Sequence, residues 1–138
     1  HRVTVRLPDA PVWMQADATR LEQVFVNLLV NAAKYTTASG DIGVSMKLEN
    51  DDVIISVRDT GIGIAADVLP DVFDLFVQAD PTSRRAVAGL GIGLALVRSL
   101  VEGHGGHVSA ASPGLGKGSV FTVHLPLPPS TSAPVTAR

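Results

Sequence analysis

The residues whose types and spacing could do chemistry fall in a few short stretches. In "NLLVNAAKYT", Asn27 to Thr36, two asparagines stand four apart in an apolar run, and Lys34 follows the second by three. A helix turns about 100° per residue, so Asn27, Asn31 and Lys34 fall within about 60° of one another. The apolar positions Leu21, Val24, Phe25, Leu28, Leu29, Ala32 and Ala33 recur at i, i+3, i+4, i+7 spacing, which predicts an amphipathic helix of about 18 residues. The centre of that stripe lies more than about 90° away from the asparagines. They are therefore expected outside the core, along one edge of the helix. An Asn carbonyl oxygen is a hard, neutral ligand suited to Mg²⁺, an ion that keeps several waters and takes phosphate oxygens as co-ligands. A lysine one turn away supplies positive charge for phosphates. The solvated face of an ordinary helix would carry the same three residues.

"DTGIGI", Asp59 to Ile64, follows a strand-like run. Its glycines let the backbone approach a flat or bulky ligand. An ionised Asp accepts hydrogen bonds and cannot donate them, so Asp59 suits an exocyclic amine such as that of adenine. Guanine would oppose it with a carbonyl oxygen. A simple turn after a strand also favours Asp and Gly. "GIGIAA" matches the dinucleotide fingerprint G-x-G-x-x-A. Against that reading, Asp59 abuts the first glycine, where it would repel pyrophosphate, and Pro70 breaks the segment that follows. No G-x-x-x-x-G-K-[ST] occurs, which excludes a P-loop.

Two further glycine clusters follow, "GLGIGL" from Gly89 and "GLGKGS" from Gly114. The first opens a helix, whose free N–H groups bind anions. The second is explained most simply as a hairpin turn. Arg84 and Arg85 lie in a long aperiodic stretch over residues 77–90, a length that often marks a functional lid. The four histidines, His1, His104, His107 and His124, have no metal-ligand spacing and read as structural or exposed.

The elements that must position these residues are legible from periodicity. "HRVTVRL" alternates as a strand, and "VWMQ" is a second short candidate. Asp17 is placed to cap the asparagine helix. "IGVSMKLE" and "VIISVR" flank the polar turn "NDD" as a hairpin. Short helical turns are expected over 65–76, interrupted by Pro70, with a helix over 91–101 and closing strands in "HVSAAS" and "SVFTVHL". Strands and helices mix without a strict βαβ rhythm. This predicts an α+β fold, with helices on one face of a mixed sheet. Residues 1–125 form the expected domain, and 126–138 a Pro/Ser/Thr-rich tail or linker.

The chain has 138 residues, 46% of them hydrophobic and 17% charged, with a net charge of −2. That is enough apolar material for one core, and it leaves no basic footprint for nucleic acid. Without cysteine there are no disulfides or thiolate metal sites. No apolar run reaches the roughly 18 residues of a membrane span, and no signal-peptide pattern occurs. A cytoplasmic domain is expected, within a longer protein that could be membrane-anchored.

Taken in order, these segments resemble the catalytic ATP-binding domain of sensor histidine kinases, in the GHKL superfamily with gyrase-type and heat-shock-chaperone-type ATPases. "NLLVNAAKYT" resembles the N box, "DTGIGI" the G1 box, "VFDLF" the F box, "GLGIGLALV" the G2 box and "GKGSVF" the last glycine box. "VEGHGGHV" is similar to the family's usual intervening segment, and the likeness covers about residues 12–125. It implies a two-layer α/β sandwich with a mixed, mostly antiparallel sheet, the nucleotide lying between helices and lid.

The resemblance also implies roles. Asn31 would ligate Mg²⁺, Asn27 would assist near the phosphates, Lys34 would contact phosphate and Tyr35 would flank the nucleotide. Asp59 would bind the adenine amine, with Gly61, Gly63 and Ile64 shaping the pocket. Gly89, Gly91 and Gly93 would form the lid hinge and phosphate cradle. Leu90, Leu94 and Ser119 complete the expected ATP contacts, and Phe73 and Phe76 would position the lid. Hydrolytic members carry a glutamate four residues before the metal-binding asparagine. Asn27 stands there instead and cannot act as a general base, so hydrolysis should be slow and phosphate kept for another acceptor. That acceptor would be a histidine on a separate helical dimerisation domain, because none of the four histidines here sits in an H-E/D-x-x-x-P setting. A response-regulator receiver domain would act later in the pathway, and the isolated domain is expected to be a monomer. The F box departs from the family pattern, since "VQAD" follows its second phenylalanine. The alternatives are a nucleotide-binding signalling module without chemistry, and a GHKL-type ATPase or protein-serine kinase.

Overall fold

The computed structural model describes residues 2–7, 18–37, 39–74 and 90–127. The "VWMQ" segment, Asp17, residues 75–89 with Phe76, Arg84, Arg85 and Gly89, and residues 128–138 fall outside them.

Five strands form one mixed sheet: β1 (Arg2–Arg6), β2 (Asp41–Glu49), β3 (Asp52–Asp59), β4 (His107–Ala111) and β5 (Ser119–Pro126). Their spatial order is β1-β2-β3-β5-β4. Among the described residues only β1 and β2 pair in parallel; the other ladders are antiparallel. A parallel pair needs a crossover, which helix α1 (Ala18–Tyr35) supplies. The β2–β3 hairpin turns where the polar "NDD" predicts it, with Asn50 at φ 58°, a left-handed conformation that Asn tolerates. Helix α2 (Leu90–Gly103) precedes β4.

The core lies between sheet and helices. Val53, Ile55 and Val57 of β3 and Phe121, Val123 and Leu125 of β5 point into it, as period-two alternation requires. Val24, Leu28 and Ala32 of α1 and Val97 and Val101 of α2 close it from above. Both helices therefore cover the same sheet face, the predicted α+β architecture.

Three expectations need adjustment. Pro70 does not interrupt a helix. It sits inside a single 3₁₀ turn over Leu69–Asp71, in the first turn, where its missing N–H is not needed. The adjoining Phe73 is buried edge-on against Phe121, with ring centroids 5.8 Å apart at 84°. β5 runs to Pro126 and Leu127 N–H donates to Asp51 O at 2.8 Å, so ordered pairing continues into the segment read as a tail. The buried stripe of α1 is also rotated from its expected position. Leu29 is 38% exposed and Ala33 lies open, whereas Asn31 is only 5% exposed. Contact with α2 and β3 runs along Val24, Leu28 and Ala32, and Asn31 lies within about 20° of Val24 around the helix. The second asparagine is thus a buried polar group.

Candidate functional site

Asp59 ends the central strand β3, and its side chain lies on the helix-facing side at 4% exposure. Burial of a carboxylate requires hydrogen-bond partners. Oδ1 accepts the Gly61 N–H at 2.9 Å, and Oδ2 accepts the Ser119 hydroxyl at 2.9 Å. The first bond is an Asx-type turn, the local geometry that Asp favours. The second crosses the β3–β5 ladder, where Asp59 and Ser119 are paired. Each oxygen keeps a lone pair for a further donor.

The glycine loop after Asp59 packs against the end of α1. Ile62 N–H donates to Tyr35 O at 3.1 Å, and a Cβ on Gly61 would stand 2.1 Å from that same oxygen. Only glycine allows this approach. It links the carboxylate to the helix that carries Asn27, Asn31 and Lys34. Asn31 is buried, Asn27 half-buried and Lys34 exposed. Tyr35 is half-buried at the junction.

On its other side the loop meets the β4–β5 hairpin. Gly116 N–H donates to Ile62 O at 2.6 Å and Gly118 N–H to Gly61 O at 3.1 Å. Gly63 has φ 74°, and a Cβ there would lie 2.1 Å from Gly114 O. The segment read as a hairpin turn is therefore also a wall that fixes the first glycine loop. Its hub is Ser112, which sequence reasoning passed over. Ser112 Oγ accepts Ile64 N–H at 3.0 Å and lies 2.7 Å from Gly118 O, to which it can donate. The available signal was a Ser directly before "PG", a turn-initiating pattern.

Ile64 and Leu94 are buried at 3% and 6% and belong to the core cluster. Gly91 and Gly93 lie in the first turn of α2, which begins at Leu90. A Cβ on Gly93 would meet nothing within 4 Å, so packing does not require glycine there. A half-buried Arg98–Asp74 pair at 3.3 Å ties α2 to the segment after the 3₁₀ turn. His104 Nδ1 bonds Leu100 O at 2.9 Å, and His107 stacks on His124 at 4.3 Å, structural roles as expected.

The donor set fits a nucleotide. A buried carboxylate with spare lone pairs and the glycine loop that follows it are joined, through the Ile62–Tyr35 hydrogen bond, to the end of the helix that carries the buried Asn31. Among the described residues no group of three His, Cys, Asp or Glu side chains could hold a metal. A Mg²⁺ at Asn31 would take its remaining ligands from phosphate and water, the usual habit of that ion. Among the described residues no helix is long and apolar enough to cross a membrane.

The sequence matches, over residues 16–129, the family described as histidine kinase-, DNA gyrase B-, and HSP90-like ATPase. It is 45% identical over 112 residues to the circadian input-output histidine kinase CikA of Synechococcus elongatus, covering 81% of this chain and 15% of that protein. The mycobacterial sensor histidine kinase MprB superposes with a TM-score of 0.80 at 28% identity, covering 91% of this chain and 83% of that one. Full-length ShkA in complex with AMPPNP superposes at 0.79 and 31% identity, covering 96% of this chain and 26% of that one. The chain spans 14–20% of the length of the curated relatives it matches.

Proposed function

The chain belongs to the family of histidine kinase-, DNA gyrase B- and HSP90-like ATPases, and on that premise we propose that it is the ATP-binding catalytic domain of a sensor histidine kinase. It binds Mg–ATP and presents the γ-phosphate to a histidine on a separate helical dimerisation domain, with a receiver domain as the later acceptor. The domain works on the cytoplasmic side of the cell.

The observation that carries this reading is the carboxylate of Asp59. It is buried and held from two sides by Gly61 N–H and Ser119 Oγ–H. An acceptor fixed in this way selects a ligand with a donor, the adenine amine, over one presenting a carbonyl. Ile64 and Leu94, buried in the core cluster, would supply the apolar contacts to the base. The amino end of α2, from Leu90 through Gly91 and Gly93, offers backbone N–H groups to phosphate. Lys34, exposed at the end of α1, adds a mobile positive charge.

Asn31 would hold Mg²⁺, which when bound neutralises charge on the phosphates. Asn27 gives polar contacts near them but has no basic group to activate water. In the transfer step the bond from the γ-phosphorus to the bridging oxygen breaks as the partner's histidine nitrogen bonds to phosphorus, and ADP leaves. The protein's contribution is positioning and charge stabilisation, as phosphoryl transfer requires.

The test is incubation of the domain with Mg–ATP and a helical histidine-bearing domain from the same protein. Labelled phosphate should appear on that histidine, with ATP bound in preference to GTP. Equal affinity for the two nucleotides, or no transfer by a domain that binds ATP, would refute the reading.

A further inference from the structure

The sheet face turned away from the helices has an organisation that the nucleotide site does not use. Arg6, Ser45, Ser56, Thr122 and Ser109 stand in register across all five strands. Next to them runs a second row, Thr4, Gly43, Arg58, Val120 and Ala111. Neither row carries an acid. The residues between them in sequence on β3 and β5 are the buried core positions, so both rows belong to the opposite face.

The two arginines are offset diagonally, and the side chains between them are small. Thr4, Gly43, Ser45 and Ser56 floor a cleft of about 410 Å³ with Arg6 and Arg58 at its rim. A Cβ on Gly43 would meet nothing within 4 Å, so the floor is bare. A second cleft of about 390 Å³ shares Arg58 and extends to Ser112 and Lys117. Among the described residues its one acidic lining residue is Asp59, whose carboxylate is engaged by Gly61 and Ser119.

These cations differ from three others among the described residues. Arg2 pairs with Asp41 at 2.9 Å, Lys47 with Glu49 at 3.8 Å and Arg98 with Asp74 at 3.3 Å. Arg6, Arg58 and Lys117 are exposed and have no acidic partner among the described residues. Three cations without an acidic partner among the described residues, along two adjoining clefts over a floor of hydroxyls and glycine, complement an extended chain bearing several carboxylates.

We propose that this face docks an acidic polypeptide segment, with carboxylates meeting Arg6, Arg58 and Lys117 and the Ser45–Ser56 hydroxyls bonding its backbone. Nucleic acid fits less well. The chain's net charge is −2, and among the described residues no aromatic side chain lines either cleft to stack a base. A membrane surface fits less well because the two rows offer little apolar area to insert.

The test is an NMR titration of the 138-residue chain with octaglutamate, octaglutamine and an eight-residue deoxythymidine oligonucleotide at low ionic strength. Octaglutamate should bind saturably and shift the amides of Gly43, Ser45, Ser56 and Arg58, and added salt should weaken it. The double variant Arg6→Glu/Arg58→Glu should weaken it about fivefold or more, because reversed charges repel the ligand. Gly43→Glu should do the same by placing a carboxylate between the arginines. Mg–ATP affinity, measured on the same samples, should stay at the wild-type value, so failure here is distinguishable from failure of the nucleotide reading. No saturable binding, equal binding of octaglutamine, or unchanged affinity in folded variants would overturn the proposal. Shifts confined to Asn31 and Gly61 would overturn it too, as would oligonucleotide binding at least as tight as that of octaglutamate.

Discussion

Ser119 donates its hydroxyl hydrogen to Asp59 Oδ2 at 2.9 Å, across the ladder that pairs the two residues on β5 and β3. The bond ties the last glycine segment to the first and aims the carboxylate. The family resemblance implies a ligand contact for Ser119, and its hydroxyl is bonded to Asp59. On the proposed reading its contribution to nucleotide binding is expected to come through positioning of that carboxylate.

Asp59→Asn is expected to weaken ATP binding by about 1.5–3 kcal/mol, the usual worth of a hydrogen bond to a charged group. The amide can still accept but carries no charge, and its NH₂ end opposes the adenine amine in one orientation. Calorimetric titration checks this, and an unchanged dissociation constant would remove Asp59 from the role.

Ser119→Ala is expected to act mainly through Asp59. In a double-mutant cycle of Ser119→Ala with Asp59→Asn, the coupling for ATP binding should be roughly 0.5–3 kcal/mol, the range for residues in direct contact. Strictly additive losses would mean that the serine touches the ligand independently.

Gly61→Ala would bring a methyl to within 2.1 Å of Tyr35 O, an overlap that only backbone movement relieves. A loss of about 1–3 kcal/mol in folding stability is expected, with the link to α1 loosened. Gly93→Ala is the contrasting case. Its Cβ meets nothing within 4 Å inside a helix, so it should stabilise by up to about 1 kcal/mol. Urea denaturation of both variants gives the comparison; equal effects would discount the packing argument.

Asn27→Glu places a carboxylate one helical turn before Asn31. Basal ATP hydrolysis should rise about tenfold or more, short of the roughly 10²–10⁴ that well-placed acid–base groups supply. Steady-state phosphate release measures it. A flat rate in a variant that still binds ATP would show that lack of a base is not what keeps hydrolysis slow.

Asn31→Ala should depress phosphotransfer more than nucleotide affinity if, as proposed, its contacts lie at the metal-bound phosphates. Parallel calorimetry and transfer assays separate the two quantities, and transfer at the wild-type rate would contradict the assignment.

Local pattern was enough for the elements. The 18-residue helix Ala18–Tyr35, the β2–β3 hairpin about Asn50 and the closing strands all follow from period and turn chemistry, because those depend on near neighbours in the chain. The types and spacing of Asn27, Asn31, Asp59 and the glycines were likewise readable as a nucleotide-site pattern.

Tertiary packing decided what lay beyond that range. α1 carries more apolar residues than one stripe needs, and Val26, Leu29 and Val30 remain exposed. Periodicity alone could not choose between its candidate faces; contact with α2 and β3 chose the one that buries Asn31. Ser112 became a hub only because a hairpin distant in sequence folds against the Gly61–Ile64 loop. The two registered rows behind the sheet exist only once five strands are ordered. The sequence by itself determined which groups could do chemistry and on which local elements they sit. Their burial, orientation and mutual approach arose from long-range contacts, which no local period encodes.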